Sequence, residues 1–200
     1  MRFVKQSQLH LKIPPGRSEE RNIMRMHQGL GKVLRYVLIS MIVSFSLAGP
    51  VMSGTEQTTV KRVVDGDTLK IIYQGQEESV RLIGVDTPES KNNKKARKDA
   101  GRSGKDIYQI TAMGKEAAKY MRTIAREGDR AGIEFDVQKR DKYKRLLGYV
   151  YLENGRMLNE EIIKAGYASP MTIPPNVRYQ DRFLKAYREA REAGRGLFRE

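Results

Sequence analysis

Two hundred residues, 39% of them hydrophobic, suffice for one domain of ordinary size plus an extension. The chain has no cysteine, which excludes disulfides and thiolate metal sites. Its two histidines, His10 and His27, precede the patterned part of the chain, which argues against histidine catalysis and His-ligated zinc. The formal net charge of +14 favours a polyanionic partner, because neutralising phosphates releases counterions.

Residues 1–25 are polar, basic and aperiodic. Lys32 and Arg35 then lead into an apolar run, residues 36–48, followed by Gly49, Pro50 and small residues. A positive segment ahead of about a dozen apolar residues has the pattern of a signal peptide more than of a membrane span, which needs about 20. The expectation is a secreted or periplasmic protein cleaved after Ala48 or Ser53, with an uncleaved membrane anchor as the alternative. Signal peptides normally begin near the start codon, so Met24 and Met26 compete with Met1 as the start. With residues 1–54 set aside as extension and signal peptide, residues 55–200 form a single domain that still carries 30 Lys and Arg against 22 Asp and Glu. Composition by itself does not separate nucleic acid from anionic lipid or cell-wall polymer as the partner.

Residues 63–89 concentrate acidic and basic side chains in what reads as a three-strand meander. Residues 60–64 are short and β-branched, and Asp65-Gly66-Asp67 is a turn of the kind that joins antiparallel strands. Residues 69–73 alternate apolar with polar, Gln74-Gly75-Gln76 turns the chain again, and a third strand spans residues 80–84 and is closed by Asp86. Asp67 opening one strand and Asp86 closing its neighbour can converge on a hard cation, which takes carboxylates, carbonyls and water together; Ca²⁺ is the expected ion. Arg81 lies in the third strand, and Pro88 stiffens the exit so that Glu89 is held just past the ligands. A glutamate fixed beside a metal and an arginine is what phosphodiester hydrolysis needs: a base for water and positive charge for the phosphoryl oxygens. Each fragment alone is common in β proteins; the combination is far more specific.

Residues 90–110, dense in Lys, Arg, Asn and Gly, read as a long polar loop flanking the site, able to guide a phosphate backbone. From Thr111 the pattern turns helical, with Ala112, Met113, Ala117, Tyr120, Met121 and Ile124 on one face and Gly128 as the stop. Strands follow at residues 133–137 and 147–151, then helices at 157–165 and 179–193, the last with Phe183, Leu184, Tyr187, Ala190 and Ala193 as its apolar stripe. This is an α+β, mainly β pattern: a five-stranded OB-fold Greek-key barrel with three helices, an architecture that commonly binds oligonucleotides and oligosaccharides.

Val64-Asp65-Gly66-Asp67-Thr68, then Arg81 through Glu89 (RLIGVDTPE), then Asp141 through Tyr151 (DKYKRLLGYVY) resemble the staphylococcal nuclease (thermonuclease) family, in order and over roughly residues 58–198. The resemblance implies Ca²⁺ held by Asp67, Asp86 and the Thr87 carbonyl, with Asp65 tuning the metal from behind. It implies Arg81, Glu89 and Arg145 as the catalytic set, and Lys142 and Tyr143 as contacts to the substrate phosphate. It further implies a monomer without an obligate protein partner that cuts DNA and RNA, single-stranded or locally open, with little sequence preference and leaves 3′-phosphates. One departure falls at Met171-Thr172-Ile173-Pro174-Pro175, where the family's reference member has tyrosines that stack on the base. A binding module that has lost catalysis is the alternative, but such modules typically lose acidic or arginine residues that are all present here.

Overall fold

The computed structural model describes residues 54–199. The expected signal peptide, the competing start positions and both histidines lie outside the described residues. Strands β1 (Glu56–Asp65), β2 (Thr68–Tyr73) and β3 (Gln76–Leu82) form the expected antiparallel meander. It is completed by β5 (Arg130–Glu134) and β6 (Leu146–Leu152) into a closed barrel ordered β1-β2-β3-β6-β5, with β3 and β6 pairing in parallel. Closure removes the exposed sheet edges.

The inward-facing set follows the alternation except in the fourth strand, where β5 ends at Glu134 and Val137, expected within it, is 72% exposed. Val60, Leu69, Ile71, Val80, Leu82, Ile133 and Val150 are buried to the last few square ångströms, each contributing about 1.5–3 kcal/mol relative to exposure. Strand β1 keeps both Val60 and Val63 inside because its register shifts between Val60 and Arg62; a second shift follows between Val63 and Asp65. Bulges of this kind bend a barrel strand and re-aim its last side chains at the rim.

The third strand does not run on to Asp86. It ends at Leu82, and a separate strand β4 (Gly84–Asp86) leaves the barrel to pair with β7 (Ser169–Met171). The break is at Gly84, whose φ of 76° is left-handed and whose missing side chain leaves room for Phe183: a Cβ there would stand 2.5 Å from the ring.

Four α-helices stand among the described residues rather than three. The additional one, α1 (Lys94–Ser103), lies within the stretch expected to be loop. Asn93 caps it by accepting from the Ala96 N–H at 2.9 Å, and Gly104 ends it in a left-handed conformation. Helix α2 (Ile107–Ile124) starts four residues earlier than the periodicity indicates, on a capping box between Asp106 and Gln109. Its buried face is Ile110, Gly114, Ala117, Ala118 and Met121, rotated from the expected stripe so that Ala112 is exposed. The small residues on that face let α2 approach the β1–β2 turn at Gly66 and the chain at Glu89 closely. Helix α3 (Leu158–Lys164) follows β6, and α4 (Gln180–Glu192) buries Phe183, Ala186 and Ala190 while leaving Leu184, an expected core residue, 38% exposed.

The seam between β3 and β6 is closed by Asn159 from α3, which is fully buried. Its Nδ2 donates to the carbonyls of Ile83 (2.9 Å) and Gly148 (3.2 Å), and its Oδ1 accepts from the Val150 N–H (3.0 Å). One side chain thereby satisfies three backbone groups where the chain departs from the barrel.

Candidate active site

Four segments meet at one end of the barrel around a cleft of about 690 Å³. They are the β1–β2 turn, the end of β3, the turn from β4 into α1, and the β5–β6 loop. Asp65, Asp67, Arg81, Asp86, Glu89, Lys95, Asp141, Lys142 and Arg145 all line it.

Arg81 ties the two expected metal carboxylates together. Its guanidinium forms an ion pair with Asp67 and reaches Asp86 Oδ1 at 3.5 Å. Asp67 is 7% exposed and further fixed by Thr68 Oγ1, which donates to Oδ1 at 2.9 Å, and by Thr87 Oγ1, which donates to Oδ2 at 3.0 Å. The carboxylates therefore converge as the strand ends require, although Asp86 arrives on its own short strand and not on β3. Asp86 Oδ1 is buried and accepts no well-formed hydrogen bond; what faces it are cations, Arg81 and, at 3.2 Å, Lys95. Burial pushes the Asp86 carboxyl above its ordinary pKa, against the pull of those two charges.

Asp65 stands behind this pair. Its Oδ1 accepts from the Gly66 N–H at 2.9 Å and its Oδ2 from Ser90 Oγ at 3.2 Å, and burial raises its pKa, with the Asp67 and Glu89 charges adding to the rise. Glu89 is held at both oxygens: Asn93 Nδ2 donates to Oε2 at 2.6 Å and Lys95 lies 3.3 Å from Oε1. Its backbone is fixed by α2, since a Cβ at Gly114 would come within 2.3 Å of the Glu89 carbonyl carbon.

On the opposite wall, Arg145 is gripped by Asp141. Nε and Nη2 both reach Asp141 Oδ2, at 2.8 and 2.7 Å, while Asp141 Oδ1 accepts the N–H groups of Tyr143 and Arg145 at 2.9 Å each. Tyr143 is 68% exposed and lies under Lys142 and Arg145, whose charges sit 5.1 and 5.6 Å from its ring centroid. Met171, Ile173 and Pro174 supply an apolar wall.

A family model described as Staphylococcal nuclease homologue matches residues 79–200. The chain belongs to the staphylococcal nuclease family. The thermonuclease of Staphylococcus hyicus is 31% identical over 176 residues, 85% of this chain and 95% of that protein. The thermonuclease of Staphylococcus intermedius is 36% identical over 137 residues, 68% of this chain and 73% of its own length. Endonuclease YncB of Bacillus subtilis is 36% identical over 135 residues, although these cover 57% of that protein. This family member is a nuclease, a hydrolase of phosphodiester bonds. The family model begins inside β3, so Asp65 and Asp67 precede it, and in the nuclease it is the contacts of Arg81 and Thr87 that bind Asp67 into the site.

The donor set fits a hard divalent cation. Two carboxylates, one backbone carbonyl and room for water are all oxygen, and Asp86 Oδ1 is a buried acceptor turned toward positive charge. Among the described residues no group of three or more His, Cys, Asp or Glu side chains closes on one point.

Three functional neighbours of the nuclease site went unread in the sequence: Asn93, Lys95 and Asp141. Asp141 had a local signal, an acidic residue four before Arg145. Asn93 had only its suitability as a helix N-cap, and Lys95 had none, since it sits in a basic run that reads as solvent-facing until α1 turns one side of it inward.

Proposed function

We propose that this nuclease is an exported, Ca²⁺-dependent endonuclease that cuts DNA and RNA with little sequence preference and leaves 3′-phosphates. The observation that carries the reading is the bridging of Asp67 and Asp86 by Arg81 at the mouth of a cleft whose walls also hold Glu89 and Arg145. In it Asp67, Asp86 and the Thr87 carbonyl hold Ca²⁺, with Asp65 tuning the site from behind. When bound, the ion supplies Lewis acidity and charge neutralisation at the scissile phosphate. Glu89 accepts the proton of the attacking water. Arg81 and Arg145 donate to the phosphoryl oxygens as charge builds on them, the planar fork of each matching two oxygens at once. Lys142 and Tyr143 contact the substrate phosphate.

The apolar wall of Met171, Ile173 and Pro174 takes the place of an aromatic stack, so the bases are gripped weakly and the backbone strongly. That supports action on either nucleic acid, single-stranded or locally open; we propose a monomer without an obligate protein partner. Export rests on the segment 32–53, and N-terminal sequencing of the secreted or periplasmic form should begin between Gly49 and Thr55.

The decisive experiment follows single-turnover cleavage of a labelled oligonucleotide with Ca²⁺ or with chelator, binding being measured in parallel. Asp67→Ala and Asp86→Ala should abolish the Ca²⁺-dependent activity of a folded protein. Glu89→Gln should retain binding and cleave slower by about 10²-fold or more. Full activity in chelator would sink the metal assignment, and parental rates for Glu89→Gln would sink the base.

A further inference from the structure

Lys95 is the cation lining the cleft for which the hydrolytic mechanism has no use, and it is thoroughly coordinated. Its Nζ lies 2.8 Å from the Thr87 carbonyl oxygen, 3.2 Å from Asp86 Oδ1, 3.3 Å from Glu89 Oε1 and 3.5 Å from Asp99 Oδ2. The first two oxygens belong to the set proposed for the metal, and the third is the proposed base. An ammonium is a compact charge with three rotatable donors on a flexible stem, able to fill a site made for a cation without being fixed there.

We infer that Lys95 is a tethered ammonium that competes with Ca²⁺ for the Asp86 carboxylate and the Thr87 carbonyl, with Asp99 as the station to which it withdraws. This rests on the metal reading above. A divalent ion on the same oxygens would stand within about 4 Å of the ammonium, where the repulsion of the two charges far exceeds thermal energy. The two cations therefore exclude each other. Asp99 lies one helical turn along α1 from Lys95 and is already in contact, so the exchange needs only side-chain rotation while Asn93 keeps the helix anchored. Withdrawal also takes the ammonium away from Glu89 Oε1. Metal loading and release of the base from its ion pair become one step, and the metal-free protein keeps its carboxylates neutralised.

The test measures Ca²⁺ binding to the full chain by calorimetry without nucleic acid, and thermal midpoints in chelator. Lys95→Met should bind Ca²⁺ about tenfold or more tightly than the parent and melt lower in chelator. Lys98→Met makes the same charge change on an exposed position of the same helix and should shift the affinity by less than about twofold, as a screened surface charge does. Asp99→Asn should weaken binding in the parent, and that effect should shrink in the Lys95→Met background, because the station has lost its occupant. Lys95→Gln carries the same expectation as Lys95→Met and decides the matter if the methionine variant does not fold. Competition is overturned if the parent binds Ca²⁺ and neither Lys95 variant binds more tightly, or if Lys98→Met tightens as much as Lys95→Met. If neither the parent nor the Lys95 variants bind Ca²⁺, the metal reading and the competition fall together.

Discussion

The Arg145 guanidinium is held through Nε and Nη2 to a single oxygen, Asp141 Oδ2, and the other oxygen of the same carboxylate closes the loop by taking two backbone N–H groups. Asp141 touches no reacting atom in the proposed mechanism; it orients the residue that does. Asp141→Asn keeps an acceptor for the backbone but loses the charge that aligns Arg145. Single-turnover cleavage should slow by up to about 10²-fold, the scale of an ångström's misplacement, while oligonucleotide affinity changes little. An unchanged rate would show that Arg145 orients itself. The same carboxylate also sets a pH limit. Burial pushes the Asp141 pKa upward, but the hydrogen bonds and charge of Arg145 outweigh it and hold the pKa below its ordinary value of 3.8. A depressed carboxylate contributes stability that is present above the ordinary value and is lost as the pH falls through the lowered one. The parent's thermal midpoint should therefore drop more steeply below about pH 4 than that of Asp141→Asn.

Among the elements, those whose packing repeats were legible and those made by single contacts were not. Strands β1, β2 and β3 show in the sequence because burial on one face brings alternation, whereas β6, buried on both faces, shows as a nearly continuous apolar run. Helix α1 buries only Ala96, so no apolar period marks it; its signals are the caps at Asn93 and Gly104, which a reading by periodicity passes over. The Glu89 backbone is likewise placed by a close approach without periodicity, the bare Cα of Gly114 against the Glu89 carbonyl. Gly114→Ala should favour the helix by about 1 kcal/mol through propensity alone. Its Cβ cannot sit 2.3 Å from a carbonyl carbon, so the Glu89 turn must move by roughly 1 Å, and cleavage should fall by about 10²-fold in a protein that still folds. Parental turnover in Gly114→Ala would mean that the turn adapts without cost. Asn159→Leu makes the opposite demand on the fold. It takes away the partner of the Ile83 carbonyl and of the Val150 N–H, while the Gly148 carbonyl keeps the Ile83 N–H at 3.1 Å, for a loss of about 2–5 kcal/mol in urea denaturation.

Across the whole molecule, the candidate site was readable where the chain itself gathers it: Asp67, Arg81, Asp86 and Glu89 fall within the one stretch from residue 63 to 89 and meet through two turns. Lys95 and Asp141 come from basic runs that look solvated, and what turns them to the cleft is the capped helix α1 for the first and the β5–β6 loop of the closed barrel for the second. The positive surplus of residues 55–200 has the same ambiguity, because most of it is spread over the helices while a few charges stand at the cleft. Salt dependence separates the two. For single strands the slope of log affinity against log salt is about −0.7 per phosphate neutralised. Lys142 lines the cleft, and Lys142→Ala should reduce the magnitude of that slope by about 0.7 and weaken binding alike for every sequence tested. Lys164 ends α3 and does not line the cleft; Lys164→Ala makes the same change in net charge and should leave the slope as it was. Both are read from fluorescence anisotropy of a labelled single strand titrated across salt concentrations, in chelator so that nothing is cut. Equal slopes for the two variants would mean that nucleic acid is drawn to the molecule by its net charge alone, and that the β5–β6 loop does not grip the backbone.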